Sequence, residues 1–303
     1  MKKLIRIGTR DSQLALWQAN TVKDKLEFLG YKTEIVSVKS TGDLILDKPL
    51  YELGITGIFT KTLDVAMLNG SVDIAVHSMK DVPTLLPKGI VQSAVLERAS
   101  SSDILVTKEN VDFKQTCTIA TGSLRRKAQW LHRYPHHDVV GLRGNVITRL
   151  QKLEDSKWQG AVFAQAGLER IKILPTNYIN LDWMIPAPSQ GAMVIVALEN
   201  DTFSIEATSK LNDKYSEICT NIEREFLRVL EGGCTAPIGA IATIKQDIIN
   251  FTGVLFSLNG SIKLEVKKSV SIHKYQGFGA TCAQEILANG GDELMQQIKA
   301  ELK

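Results

Sequence analysis

Through the first two-thirds of the chain, short apolar runs of strand length alternate with stretches whose apolar positions recur at helical spacing. Leu4–Gly8 reads as a strand, and Asp11 or Ser12 can cap a helix with apolar positions at Leu14, Trp17, Val22 and Leu26. Glu34–Val38 is the next strand. Thr60 can cap a helix running to Asn69, with Gly70 as its stop. Strand patterns follow at Asp73–Val76, Val91–Leu96 and Ile104–Val106. A second alternating block has strands at Thr118–Ala120, Val139–Leu142 and Ala161–Ala164. Its helices fall at Leu124–His132, Val146–Leu153 and near Gly167, and Val194–Leu198 closes it. Such alternation predicts α/β architecture with mostly parallel sheets.

The last third reads differently. A helix over Lys214–Leu230 precedes three β-rich runs, Ile238–Ile244, Ile248–Leu255 and Ile262–Val270, and a final helix begins near Gln284. Strands followed by helix predict a small α+β domain. Pro186-Ala187-Pro188-Ser189-Gln190-Gly191 has the composition of a hinge or an inter-domain crossing.

Composition narrows the function classes. The 303 residues are 44% hydrophobic and 23% charged, as in globular proteins with two or three domains. A net charge of +3 and 6% aromatics give no field for nucleic acid or membrane and too few rings for base stacking. Cys117, Cys219, Cys234 and Cys282 form no C-x-x-C pair, no histidine spacing marks a metal site, and four thiols make no disulfide scaffold at this length. The N-terminal residues have no signal-peptide pattern, and no apolar run approaches the ~20 residues of a membrane span, so a reducing cytoplasm is expected.

Chemistry collects at predicted turns. Arg10, Arg125, Arg126, Arg143, Arg149 and Arg170 lie at or just beyond strand-to-helix turns, where α/β sheets bind ligands and helix N-termini favour anions. A solvated surface position explains any one of them. Six in a near-neutral chain point to a ligand with concentrated negative charge, best read as carboxylate, since neither a Walker A sequence nor G-x-G-x-x-G is present. Asp73–Val76 runs directly into His77-Ser78-Met79-Lys80-Asp81-Val82-Pro83, where Lys80 and Asp81 fit either a strand-end pair able to handle a proton or an ordinary ion pair on a capped loop. His77 fits a structural role as well as a ligand. Cys234, in Glu231-Gly232-Gly233-Cys234-Thr235-Ala236-Pro237, sits on a tight loop after a helix. By itself that loop fits a small buried thiol as readily as a covalent attachment point.

Together these segments resemble the porphobilinogen deaminase family. The matching pieces are Gly8-Thr9-Arg10, Ser12 through Ala19, Ser40-Thr41-Gly42-Asp43, Phe59-Thr60-Lys61 and His77 through Pro83. They continue with Gly122 through Arg126, Leu142 through Val146, Ala166-Gly167-Leu168 and Gly232-Gly233-Cys234. The resemblance runs in register from residue 4 to about residue 240. It implies two α/β domains like the halves of a periplasmic binding protein, with a cleft between them, and a third α+β domain bearing the cysteine. The boundaries expected are 1–98 with 190–212, then 99–189, then 213–303.

The resemblance also implies an activity: four porphobilinogen molecules are joined head to tail, with release of ammonia, into linear hydroxymethylbilane. Cys234 would hold a dipyrromethane cofactor by a thioether, with Asp81, Lys80, Ser78, Thr121, Ser123, Arg125 and Arg126 around that cofactor. Arg10, Ser12, Arg143, Arg149 and Arg170 would bind substrate carboxylates. Asp81 and Lys80 would be catalytic, Asp81 facing pyrrole N–H groups as positive charge develops on loss of ammonia. The expected protein is a monomer acting on a small molecule, without metal, nucleic acid or membrane. A non-catalytic carboxylate-binding module of periplasmic type is the alternative. The sequence departs from the family pattern at Ser189, where glycine is common, at Val196 for glutamate, at Gly141 for aspartate and at Gln165 for an apolar residue.

Overall fold

The computed structural model describes residues 4–38, 60–230 and 236–302. Cys234 with its two glycines, the Ser40–Asp43 motif and Phe59 lie outside the described residues. By Cα proximity the described chain divides into two compact units. One holds residues 4–38, 60–99 and 191–218; the other holds 100–190 and the residues from 219 onward.

The first unit is built on a five-stranded sheet. Its strands are β1 (Leu4–Thr9), β2 (Lys32–Ser37), β3 (Ile74–Ser78), β4 (Ile90–Val95) and, returning from far along the chain, β10 (Met193–Leu198). The order is β2-β1-β3-β10-β4, with β1 parallel to β2 and β3 and β10 antiparallel to both neighbours. Helix α1 (Gln13–Phe28) covers one face. Ser12 caps it by accepting from the Ala15 amide at 3.4 Å, and Ala15, Gln18, Ala19, Val22 and Leu26 form its buried stripe. Gly30, at φ 84°, ends the helix in the left-handed conformation that glycine adopts without penalty. Helix α2 (Lys61–Leu68) covers the other face. Gly8 makes that possible, because a Cβ there would stand 3.0 Å from both Leu63 and Val72. The apolar layers either side of the sheet draw Ile5, Ile7, Ile74 and Ile195 to one side, and Ala75, Val194 and Val196 to the other.

The second unit repeats the plan. Strands β5 (Asp103–Thr107), β6 (Thr118–Ala120), β7 (Asp138–Val140), β8 (Gly160–Ala164) and β9 (Tyr178–Asn180) are ordered β7-β6-β8-β5-β9, with β6 parallel to β7 and β8 and β5 antiparallel to β8 and β9. Helices α3 (Leu124–Arg133), α4 (Val146–Asp155) and α5 (Gln165–Arg170) follow β6, β7 and β8. Helix α6 (Thr202–Ser209) follows β10 in the first unit. The final third contributes α7 (Lys214–Val229) and an antiparallel sheet, β11 (Ile238–Lys245), β12 (Ile248–Phe256) and β13 (Lys263–Ser271). Two closing helices, α8 (Phe278–Ile286) and α9 (Asp292–Glu301), stand where the sequence pattern gave one. Gly290 at φ 96° lies between them. Edge-on rings of Phe226, Phe251 and Phe278 pack α7 and α8 onto this sheet.

Within the second unit the small sheet is fastened to the rest at two places. Ala128 of α3 packs with Val254 and Phe256, while the His132 ring meets the Gly260 carbonyl at 2.7 Å. The buried Glu223 carboxylate accepts from the amides of Ser189 (2.6 Å) and Ala242 (2.7 Å). Ser189 itself has φ 63°, a left-handed conformation that costs a non-glycine residue about 1 kcal/mol. That conformation explains physically why glycine suits this position.

Candidate functional site

In the first unit, parallel pairing puts the carboxyl ends of β1 and β3 side by side. Arg10 and Ser12 follow β1; Ser78 ends β3, and Lys80 and Asp81 follow in a single 3-10 turn at Met79–Asp81. A cavity of about 70 Å³ opens here, lined by Arg10, Ser12, Gln18, Thr60, His77, Ser78 and Asp81, with Leu14, Ala15 and Val76 as its apolar wall. Lys80 shares the turn but not the lining. Thr9 Oγ1 donates to the Ala15 carbonyl at 2.9 Å and braces the turn carrying Arg10. Gln18 Nε2 donates to Ser78 Oγ at 2.8 Å, which orients the hydroxyl. His77 is 5% exposed, and its Nε2 has no hydrogen-bond partner among the described residues. Burial, helped by the nearby Arg10 charge, pushes its pKa down to about 4, so the ring is neutral at pH 7. A cation, three hydroxyls, a carboxylate and a neutral imidazole thus face one small space, a set suited to holding an acidic ligand and managing charge beside it.

The second unit presents its residues at the corresponding edge. Thr121, Gly122 and Ser123 leave β6. The Thr121 amide donates to the Val140 carbonyl (2.9 Å), the Ser123 amide to Thr121 Oγ1 (3.3 Å), and Ser123 Oγ caps α3 by accepting from the Arg126 amide (3.4 Å). A Cβ on Gly122 would lie 2.4 Å from the Leu142 carbonyl, so only glycine lets this turn press against the Leu142-Arg143 loop. Asn145 caps α4, and Arg149 Nε donates to the Gly144 carbonyl at 2.7 Å, folding that side chain back over the same turn. Burial lowers the pKa of Arg143 and pulls that of Arg170, at the end of α5, down to about 10, with Glu169 opposing the latter.

Arg125 and Arg126 begin α3 but are not open to solvent. Arg125 Nη1 lies 2.8 Å from Asp103 Oδ2 and donates to the Ile185 carbonyl at 2.7 Å. Arg126 donates to Asp103 Oδ1 from Nη2 (2.7 Å) and Nε (3.1 Å), and to the Val162 carbonyl from Nη1 (2.9 Å). Gln190 Nε2 adds bonds to Asp103 Oδ1 (2.9 Å) and the Ser101 carbonyl (2.8 Å). Asp103 is wholly buried; burial alone would raise its carboxyl, but the two guanidiniums outweigh that and hold it well below the usual carboxylate range. Asp103 was invisible as a site residue in the sequence, where it is only a charged residue opening an apolar strand after three serines. The same holds for Gln18 and Gln190, whose partners are distant in sequence.

The structure therefore gathers Arg10, Ser12, Ser78 and Asp81 around one cavity. It gathers Thr121, Ser123, Arg125, Arg126, Arg143 and Arg149 around the turns after β6 and β7, with Arg170 at the end of the helix after β8. The other three cysteines are buried, and burial pushes up the thiols of Cys117 and, to about 11, Cys282.

Comparison with known proteins gives these strand-end residues a context. Residues 5–206 match the family model described as porphobilinogen deaminase, dipyromethane cofactor binding domain. Residues 217–288 match the model described as porphobilinogen deaminase, C-terminal domain. The chain belongs to the porphobilinogen deaminase family. It is 39% identical to the porphobilinogen deaminase of Syntrophotalea carbinolica over 298 residues, 96% of this chain and 95% of that one. Against the porphobilinogen deaminase of Nitratiruptor sp. it is 40% identical over 305 residues, covering 98% and 97% of the two chains. A solved ABC-transporter periplasmic substrate-binding protein from Coxiella burnetii is similar at 15% identity and a TM-score of 0.44, covering 70% of this chain and 94% of that one. Two α/β sheets and a small C-terminal domain are what the family resemblance implied. Matches that extend through the C-terminal domain do not favour the alternative of a bare carboxylate-binding module.

The family's cofactor can be tested against the residues themselves. A dipyrromethane carries four carboxylates and two N–H groups. Arg125, 4% exposed, keeps a buried Nε with no partner among the described residues. The turns after β6 and β7 offer hydroxyls and further guanidiniums. This donor set fits such a polyanion.

Proposed function

We infer that the chain is an active transferase of tetrapyrrole biosynthesis. It condenses four porphobilinogen molecules head to tail, releasing ammonia, into linear hydroxymethylbilane. The observation that carries this is near-full-length similarity to enzymes named porphobilinogen deaminase, in a chain whose strand-end Asp81 and Arg10 share one cavity. Three domains, 1–98 with 190–212, 99–189 and 213–303, form the division, and its last boundary is supported by two family models that meet between residues 206 and 217.

Cys234 is assigned the thioether to dipyrromethane. Ser78, Lys80, Asp81, Thr121, Ser123, Arg125 and Arg126 are assigned to that group, and Arg10, Ser12, Arg143, Arg149 and Arg170 to incoming carboxylates. When bound, the dipyrromethane supplies a primer whose terminal pyrrole carbon is the nucleophile. The protein's own residues do the rest. Guanidiniums grip acetate and propionate through paired N–H donors and so orient each pyrrole. As ammonia leaves porphobilinogen, positive charge grows on its ring. Asp81, beside Arg10 and Ser12 in the cavity, is placed to stabilise that charge and to accept the pyrrole N–H. The neutral His77 ring adds no competing positive charge there.

We also propose a cytoplasmic monomer working on a small molecule without nucleic acid or membrane; the small net charge of +3 supports the last two points. The direct test is incubation with porphobilinogen. Four ammonia released per linear tetrapyrrole is expected; binding without ammonia release would return the protein to the class of binding modules.

A further inference from the structure

The two α/β units place different residues at one equivalent position. In the first sheet the antiparallel strand β10 begins at Met193, opposite Ser78, the last residue of β3. In the second sheet the antiparallel strand β5 begins at Asp103, opposite Ala164, the last residue of β8. Both residues are buried, Met193 at 3% exposure and Asp103 at 0%. An apolar side chain suits that place, whereas a lone carboxylate there costs several kcal/mol unless it is paired. Asp103 is paired twice over, with Arg125 and Arg126. One negative and two positive charges leave the buried knot one anion short.

The hydrogen bonds say which arginine is left with capacity. Arg126 engages Nε and both terminal nitrogens with Asp103 and Val162. Arg125 engages Nη1 with Asp103 and the Ile185 carbonyl, and its buried Nε is unpartnered among the described residues. Gln190, on the crossing that ends the unit, bonds the same carboxylate.

We propose that Asp103 is a positioning residue. It holds Arg125 so that a ligand carboxylate completes the charge balance of the knot, while Arg126 serves as its anchor. A carboxylate that merely stabilised the fold would affect melting in the unloaded protein and leave loading of the folded protein alone. A carboxylate that acted only through its charge would weaken anion binding, and its removal would hasten loading. The proposal rests on the assigned cofactor role and predicts a third behaviour.

The test uses full-length apo-protein produced in a host unable to make porphobilinogen. Cofactor loading is followed by intact mass as porphobilinogen is added, beside the melting temperature of each apo-protein. Folded Asp103→Asn is expected to load at least about tenfold more slowly, because a small misplacement of a positioning group costs one to two orders of magnitude. In an Arg125→Ala background the same change should cost less than about twofold, since the two act through one contact. Gln190→Met removes a hydrogen bond but no charge, and should slow loading by about two- to fivefold; it decides the matter if Asp103→Asn does not fold. Loading by folded Asp103→Asn, or by Gln190→Met, at the wild-type rate or faster overturns the proposal. So does a full additional loss in the Arg125→Ala background. A wild-type protein that gains no mass with porphobilinogen would instead refute the cofactor reading, and this inference with it.

Discussion

The two five-stranded sheets have the same strand order and the same antiparallel intruder, yet they treat charge at their shared type of edge in opposite ways. In the first unit the residues after β1 and β3 line a small open cavity, and the intruding strand begins with Met193. In the second, the intruding strand begins with Asp103 and draws two guanidiniums out of solvent. One edge leaves an acid, Asp81, beside a small open space, the arrangement on which its proposed role rests. The other balances one of its two buried guanidinium charges and keeps one buried donor in reserve, which suits holding a ligand in place. A common topology thus yields an edge with an open acid and an edge with internally paired charge from a few residue choices at strand ends.

Five substitutions test that contrast, beginning with the largest expected loss of stability. Arg126→Met should strike stability first, costing about 3–5 kcal/mol by urea denaturation, because it leaves a buried carboxylate short of a partner. Arg10→Met, at the other edge, should change stability by less than about 1 kcal/mol while raising KM. Equal destabilisation by the two would erase the distinction between the edges. Asp81→Ala should keep the fold and lower kcat by about 10²–10³-fold; unchanged kinetics would remove Asp81 from the chemistry.

His77 gives a pH-dependent measure of the same cavity. Its folded pKa of about 4 lies below the ordinary value of 6.5. Between those values the unfolded chain binds a proton that the folded chain does not, so stability falls as pH falls through that window. On going from pH 7 to pH 4, the wild type should lose about 3 kcal/mol more than His77→Gln. Parallel stability curves for the two proteins would contradict the neutral, buried ring. The smallest effect belongs to Ser189→Gly. Relief of the left-handed backbone and of a buried hydroxyl with no hydrogen-bond partner among the described residues should raise stability by about 1 kcal/mol, with turnover unaltered. A lower urea midpoint would show that the strain is relieved elsewhere.

Much of this was readable in the sequence because it is local. Ser12 ahead of an apolar stripe marked the start of α1, and the glycine-bounded turns after β1 and β6 marked where Arg10 and Arg125 would lie. What escaped depends on pairing across long separations. The short strand β9 (Tyr178–Asn180) is mostly exposed, so it carries no buried run, and it exists through its pairing with Ile104–Val106. Helix α6 has too weak an amphipathic pattern to announce itself. The Arg125 and Arg126 side chains read as ligand-facing cations, because nothing near them in sequence hints at Asp103, 22 or 23 residues earlier on an antiparallel strand. An internal partner for a charged side chain leaves no mark along the chain when it lies on a distant strand.

The covalent primer proposed on Cys234 is the assignment on which the other roles depend. Intact mass of the purified protein under denaturing conditions tests it most directly. An excess over the sequence mass equal to two linked pyrrole units is expected, absent from Cys234→Ser. A bare-chain mass that persists after incubation with porphobilinogen would contradict it.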